Sequence, residues 1–119
     1  MSALFTPYQL GPVTLRNRTI RSAAFESMGK DFGPTRQLKD YHVAVARGGV
    51  GMTTLAYAAV CRSGLSFNKQ LWLRPEIVPG LREITDAVHR EGAAAAIQIG
   101  HCGNMTHWTT AGQMPIGAS

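Results

Sequence analysis

Val50-Gly51-Met52-Thr53-Thr54-Leu55-Ala56-Tyr57-Ala58-Ala59-Val60 runs for eleven residues without a charged side chain. An uncharged, β-prone run of this length, opened by Gly48-Gly49, reads as a strand buried on both faces, which is the signature of a parallel sheet. A second such run is Ala93–Ile99, Ala-Ala-Ala-Ala-Ile-Gln-Ile, and a shorter one is Thr19–Ala24. Between them lie helical patterns. Pro34-Thr35 is a helix start signal, Leu38, Tyr41, His42 and Val45 fall on one helical face, and Gly48-Gly49 stops the helix. Pro75 to Gly80 leads into a second helix with Leu81, Ile84, Ala87 and Val88 as its apolar face, closed by Glu91-Gly92. Tyr8–Leu15, broken at Gly11-Pro12, reads as a small hairpin.

The order is therefore hairpin, β, α, β, α, β. Strand centres near residues 21, 56 and 96 are one βα unit apart, so the crossovers are right-handed and the strands parallel. The expected fold class is α/β. Gly100 to Ser119 differs: it has no Lys, Arg, Asp or Glu, four glycines and no helical period, and reads as a loop. Three strands and two helices leave sheet edges open, so the reading is of an unfinished fold.

Composition narrows the function classes. The chain has 119 residues, 45% hydrophobic and 16% charged, which is globular rather than disordered. No run of about 18 apolar residues exists to span a membrane, and residues 1–20 lack a signal-peptide pattern, so a cytoplasmic protein is expected. Cys61 and Cys102 are too few for a disulfide scaffold and are read as reduced thiols. The net charge of +5 sits mostly in residues 1–47, with seven Lys/Arg against three Asp/Glu, but without aromatic interleaving. No nucleic-acid partner is expected.

In a parallel α/β fold, ligands bind at the C-terminal ends of the strands. Three segments reach that edge: Ser22-Ala23-Ala24-Phe25-Glu26, Tyr57-Ala58-Ala59 and Gln98-Ile99-Gly100-His101. Small residues in the first either admit a ligand to the backbone or simply pack against neighbouring strands. Gln98 is the polar residue of an apolar strand. Its amide matches either a heterocycle edge, such as a flavin pyrimidine, or a neighbouring backbone group. Glu26 and His101 form an acid–base pair if the fold joins them. His101, Cys102 and His107 lack zinc spacing and a fourth ligand, so no metal is expected. His42 is read as a packed helix residue. Gly48-Gly49-Val50-Gly51 runs helix to strand, the wrong order for a phosphate loop.

Several segments together resemble the old yellow enzyme family. They are Leu4-Phe5-Thr6-Pro7, Gly11-Pro12-Val13-Thr14-Leu15-Arg16-Asn17-Arg18, Tyr41-His42, Arg47-Gly48-Gly49-Val50-Gly51-Met52, Leu71-Trp72-Leu73-Arg74, Pro79-Gly80-Leu81, Asp86-Ala87-Val88-His89, Gly92-Ala93 and Ile97-Gln98-Ile99-Gly100-His101-Cys102-Gly103. The resemblance implies a (β/α)8 TIM barrel with FMN as cofactor, NAD(P)H as reductant and a small-molecule acceptor such as an activated alkene. It implies that the hairpin plugs the barrel bottom. Ser22, Ala23, Ala24 and Phe25 would line the flavin, Tyr57 would touch it through its backbone, and Gln98 would bond its pyrimidine edge.

Two departures from the family pattern stand out. Its Ala/Ser-Pro-Leu/Met-Thr/Cys is Ser22-Ala23-Ala24-Phe25 here, which replaces a hydrogen-bonding side chain by Phe25. Its His-x-Gly-Arg ends in Asn104. Eight strands in 119 residues would leave about 15 residues per unit, against roughly 30 in a barrel of typical size. The expectation is a partial barrel, residues 1–119 forming the N-terminal hairpin and about three βα units of one incomplete domain. The family's catalytic and substrate-binding residues would lie beyond Ser119, and the chain alone would be inactive. The alternative is a non-catalytic assembly fragment associating through open sheet edges, with itself or with another barrel segment.

Overall fold

The structure, a computed structural model, describes residues 2–118. The hairpin forms as expected, β1 (Tyr8–Leu10) pairing antiparallel with β2 (Val13–Leu15), and Gly11 takes the left-handed turn position at φ 56°. β3 (Ile20–Arg21), α1 (Arg36–Arg47), β4 (Met52–Ala59), β5 (Leu71–Trp72), α2 (Val78–Arg90), β6 (Ala94–Gly100) and a one-turn α3 (Trp108–Ala111) follow.

The central strand is β4. It pairs in parallel with β6 along one edge, from Met52↔Ala94 to Ala59↔Gly100. Its other edge is shared by two short strands, β3 at Met52–Thr53 and β5 at Ala58–Ala59. The helices cover one face. Leu38 and Ala46 of α1 and Ile84 and Val88 of α2 are buried against Leu55, Ala58, Leu71 and Ala93. Each fully buried Leu, Ile or Val there contributes about 1.5–3 kcal/mol.

Local signals explain the helices. Thr35 caps α1, its hydroxyl accepting the Leu38 amide at 3.1 Å, and Gly48 closes it. Tyr41, expected on the buried face, is exposed; its ring lies under the Arg21 guanidinium at 5.2 Å.

The Arg16-Asn17 pair ties the base of the sheet to both helices. Arg16 donates to Val50 O from Nε at 3.0 Å, to Glu91 O from Nη1 at 2.7 Å, and to Ala46 O from Nη2. The Ala46 and Glu91 carbonyls lie at the C-terminal ends of α1 and α2, where a cation is favourable. Asn17 donates to Gly49 O at 2.7 Å and accepts from the Thr19 amide at 3.0 Å.

Three expectations need correction. The strand expected at Thr19–Ala24 is only Ile20–Arg21. Leu71–Trp72 is a strand that the sequence pattern did not reveal. The glycine-rich tail carries α3, capped by the His107 side chain accepting from Thr109 N. Among the described residues, no helix is long and apolar enough to cross a membrane.

Candidate functional site

Because β3, β4 and β6 are parallel, their C-terminal ends share one edge of the sheet, and the three expected segments meet there. The Phe25 ring stands edge-on to Tyr57, with centroids 5.6 Å apart, and stacks on Phe67 at 4.9 Å. Tyr57 donates its hydroxyl to Ser66 Oγ at 2.5 Å.

Gln98 is placed by an irregularity in the sheet. The register runs Leu55↔Ile97 and then Ala58↔Ile99, so Ala56 and Tyr57 together oppose the single residue Gln98. The Gln98 side chain is exposed, as is Ile99. Neither residue belongs to the core beneath the helices, in keeping with the sheet face that a partial barrel leaves uncovered.

Glu26 does not pair with His101. Its carboxylate, 2% exposed, accepts from Arg21 Nη1 at 2.7 Å, from His42 Nε2 at 2.9 Å and from the Ala56 amide at 3.1 Å. His42 is fully buried, and its Nδ1 is paired with Thr53 Oγ1 at 2.8 Å. Arg21 also donates to Thr54 O at 2.7 Å. Burial pushes the Glu26 carboxyl up, but the hydrogen bonds from His42, Ala56 and Arg21 outweigh it and hold the group below its ordinary value. Periodicity placed His42 correctly on the inner face of α1. It did not show that the imidazole has a carboxylate partner sixteen residues upstream.

His101 belongs to a different chain of contacts. Its Nδ1 accepts from Gly103 N at 3.0 Å, and its Nε2 is 3.2 Å from Ser63 Oγ, which is 3.1 Å from Cys61 Sγ. Gly64 makes room for the ring, since a Cβ there would lie 2.8 Å from His101 Cδ2. His107 turns to Thr109 instead. Among the described residues, no three His, Cys, Asp or Glu side chains are grouped to hold a metal ion.

The edge thus offers what a flat, polar-rimmed heterocycle requires. It has backbone from small residues at Ser22–Ala24, an exposed amide at Gln98, and the aromatic cluster of Phe25, Tyr57 and Phe67. Outside the strand ladder, and among the described residues, no backbone–backbone hydrogen bond engages residues 22–25. These features fit an isoalloxazine ring held by backbone and amide groups.

Known proteins match the same segment. The family described as NADH:flavin oxidoreductase / NADH oxidase matches residues 3–115. FMN, with NADH or NADPH as reductant, is the cofactor of that family. The 4,4'-dithiodibutanoate disulfide reductase of Rhodococcus erythropolis is 48% identical over 101 residues, covering 85% of this chain and 25% of that protein. A probable N-methylproline demethylase of Rhizobium meliloti is 46% identical over 115 residues, covering 95% of this chain and 17% of that one. Among solved structures, morphinone reductase in complex with tetrahydroNAD superimposes with a TM-score of 0.85 at 26% identity, covering 97% of this chain and 32% of the other. The old yellow enzyme homologue from Zymomonas mobilis superimposes at 0.86 with 24% identity, which bears on fold alone. The chain spans a quarter or less of the length of these two curated relatives. The fold is the expected one, the N-terminal part of a TIM barrel.

Proposed function

As the chain belongs to the NADH:flavin oxidoreductase / NADH oxidase family, we propose that it is the N-terminal part, residues 1–119, of a single FMN-binding barrel domain in an NAD(P)H-driven oxidoreductase. The proposed acceptor is an activated alkene or a similar small electrophile, and the proposed location is the cytoplasm. When bound, FMN supplies two-electron redox chemistry, taking hydride from a reduced nicotinamide nucleotide and passing it to the acceptor.

The residues of this chain bind and orient. Ser22, Ala23 and Ala24 offer backbone groups without side-chain bulk, and Tyr57 does so from the β4 irregularity. The Gln98 amide, with donor and acceptor on one group, matches the pyrimidine edge. Phe25 stands where the family pattern has a Thr or Cys, and it would offer the flavin carbonyl no donor. The observation that carries this reading is the convergence of Ser22–Phe25, Tyr57 and Gln98 at one sheet edge.

The test uses the complete protein that contains this chain. Stoichiometric FMN binding, with NADPH or NADH oxidised in the presence of an α,β-unsaturated ketone, is the expected result. Absence of flavin binding in the complete protein refutes the proposal. The 119-residue chain alone is expected to bind FMN weakly and turn nothing over.

A second reading has its own support. Ile99, Met105, Trp108, Met114 and Ile116 are exposed, Met105 to 82%, which suits a fragment that assembles with itself or with another barrel segment. A monodisperse oligomer of the 119-residue chain on gel filtration would favour it.

A further inference from the structure

The first strand stops early, and the reason lies in two side chains. The Met52 amide donates to Thr19 O, which sets the phase of the parallel ladder between β3 and β4. Extended in steps of two, the same ladder would next join the Ala23 amide to Thr54 O and the Ala56 amide to Ala23 O. Neither main-chain bond is made among the described residues. Arg21 Nη1 occupies Thr54 O instead, and Glu26 Oε2 takes the Ala56 amide. One carboxylate–guanidinium pair thus fills the stretch of β4 edge between β3 and β5, satisfying β4 while leaving both main-chain groups of Ala23 outside the sheet.

We propose that Glu26 is a positioning residue for the cofactor site: with Arg21 it replaces the strand ladder at Ala23 and so frees the Ala23 backbone to bind the flavin. This rests on the reading of the site as flavin-binding. His42 serves the same end from α1. Its Nε2 holds the carboxylate, and Thr53 Oγ1 holds the ring from below. The groups facing the carboxylate are Arg21 from β3, His42 from α1 and the Ala56 amide from β4. The same carboxylate fixes the Ala56–Tyr57 irregularity, so it governs two flavin-facing segments at once.

Glu26→Gln tests this at almost constant volume. A carboxamide has one acceptor oxygen, so it cannot accept from Ala56 while also accepting from both Arg21 and His42. In the complete protein, E26Q is expected to bind FMN about tenfold or more weakly, as read by flavin fluorescence. Wild-type affinity is expected to fall as the carboxylate is protonated in acid, while E26Q affinity stays flat across that range. A purely structural role predicts a difference only through the fraction folded, so affinity is compared at pH values where circular dichroism shows both proteins fully folded. E26Q with wild-type FMN affinity and the wild-type pH profile overturns the proposal and leaves the functional reading intact. Failure of the wild-type protein to bind FMN overturns both.

If E26Q does not fold, hydrogen exchange on the wild-type protein decides. Amides of residues 22–25 should exchange quickly in the free protein and at least about tenfold more slowly once FMN is added. Slow exchange there without FMN would mean that Ala23 is held in the sheet, and the proposal would fail.

Discussion

Arg16→Met removes the guanidinium and keeps most of the apolar stem. It should expose how much of the fold hangs on one residue. In the native structure the group serves the carbonyls of Ala46 at the end of α1, Val50 in the turn that follows, and Glu91 at the end of α2. The Ala46 carbonyl retains a second donor, the Gly49 amide at 3.0 Å, so its loss is partial. The Val50 and Glu91 carbonyls lose a charged donor each, at about 1.5–2 kcal/mol apiece. Loss of a cation beside two helix C-termini adds a few tenths of a kcal/mol each, within the range of about 0.3–1. The expected cost is therefore about 3–5 kcal/mol, measured as a lower urea midpoint at unchanged m-value. Arg16→Lys places one point charge where a fork spanned three carbonyls, and should recover about a third of the loss. Arg16→Met within about 1 kcal/mol of wild type would refute the reasoning, because these carbonyls would then be satisfied by water.

Four further outcomes follow from other sites. A Cβ at Gly51 would lie 2.5 Å from the Asn17 carbonyl oxygen, so Gly51→Ala should cost about 2–3 kcal/mol in the same urea assay. Gly49→Ala meets open space and should cost about 1 kcal/mol, from its φ of 104° alone; the reverse ranking would contradict the packing described. Glu26 has a folded-state pKa below its unfolded value near 4.5, so its contribution to stability is present above that pH and is lost as pH falls through the folded pKa. Urea titrations from pH 6 to 3 should show this acid loss reduced in E26Q, and an equal slope in both proteins would count against it. On the proposed placement of Phe25 beside the flavin, Phe25→Thr would put a donor where negative charge develops on flavin reduction, so the midpoint potential should rise by about 30 mV, the equivalent of roughly 1.4 kcal/mol for two electrons; potentiometry showing no rise would refute that placement.

What could be read from the sequence alone, and what could not, divides by the range of the interactions involved. The two helices were legible because their determinants are local. Thr35 caps one, Gly48 closes it, and Leu38 and His42 repeat at helical spacing. The long strands were legible because Val50–Val60 and Ala93–Ile99 lack charge. The edge of β4 was not, because its partners come from three places: two residues of β3, two side chains at Arg21 and Glu26, and two residues of β5. A two-residue strand has no period to detect. The candidate site shows the same division. The topological rule brought Ser22–Phe25, Tyr57 and Gln98 to one edge, since parallel strands must end together. It gave no sign that Glu26 would turn away from His101 toward His42, because that choice depends on where α1 docks. The short β3 is thus informative in itself: past Arg21 the edge of β4 is met by the Arg21–Glu26 pair rather than by main chain. Burying a carboxylate carries a desolvation cost that a plain strand ladder avoids, so the arrangement makes sense where the exposed backbone has another partner to meet.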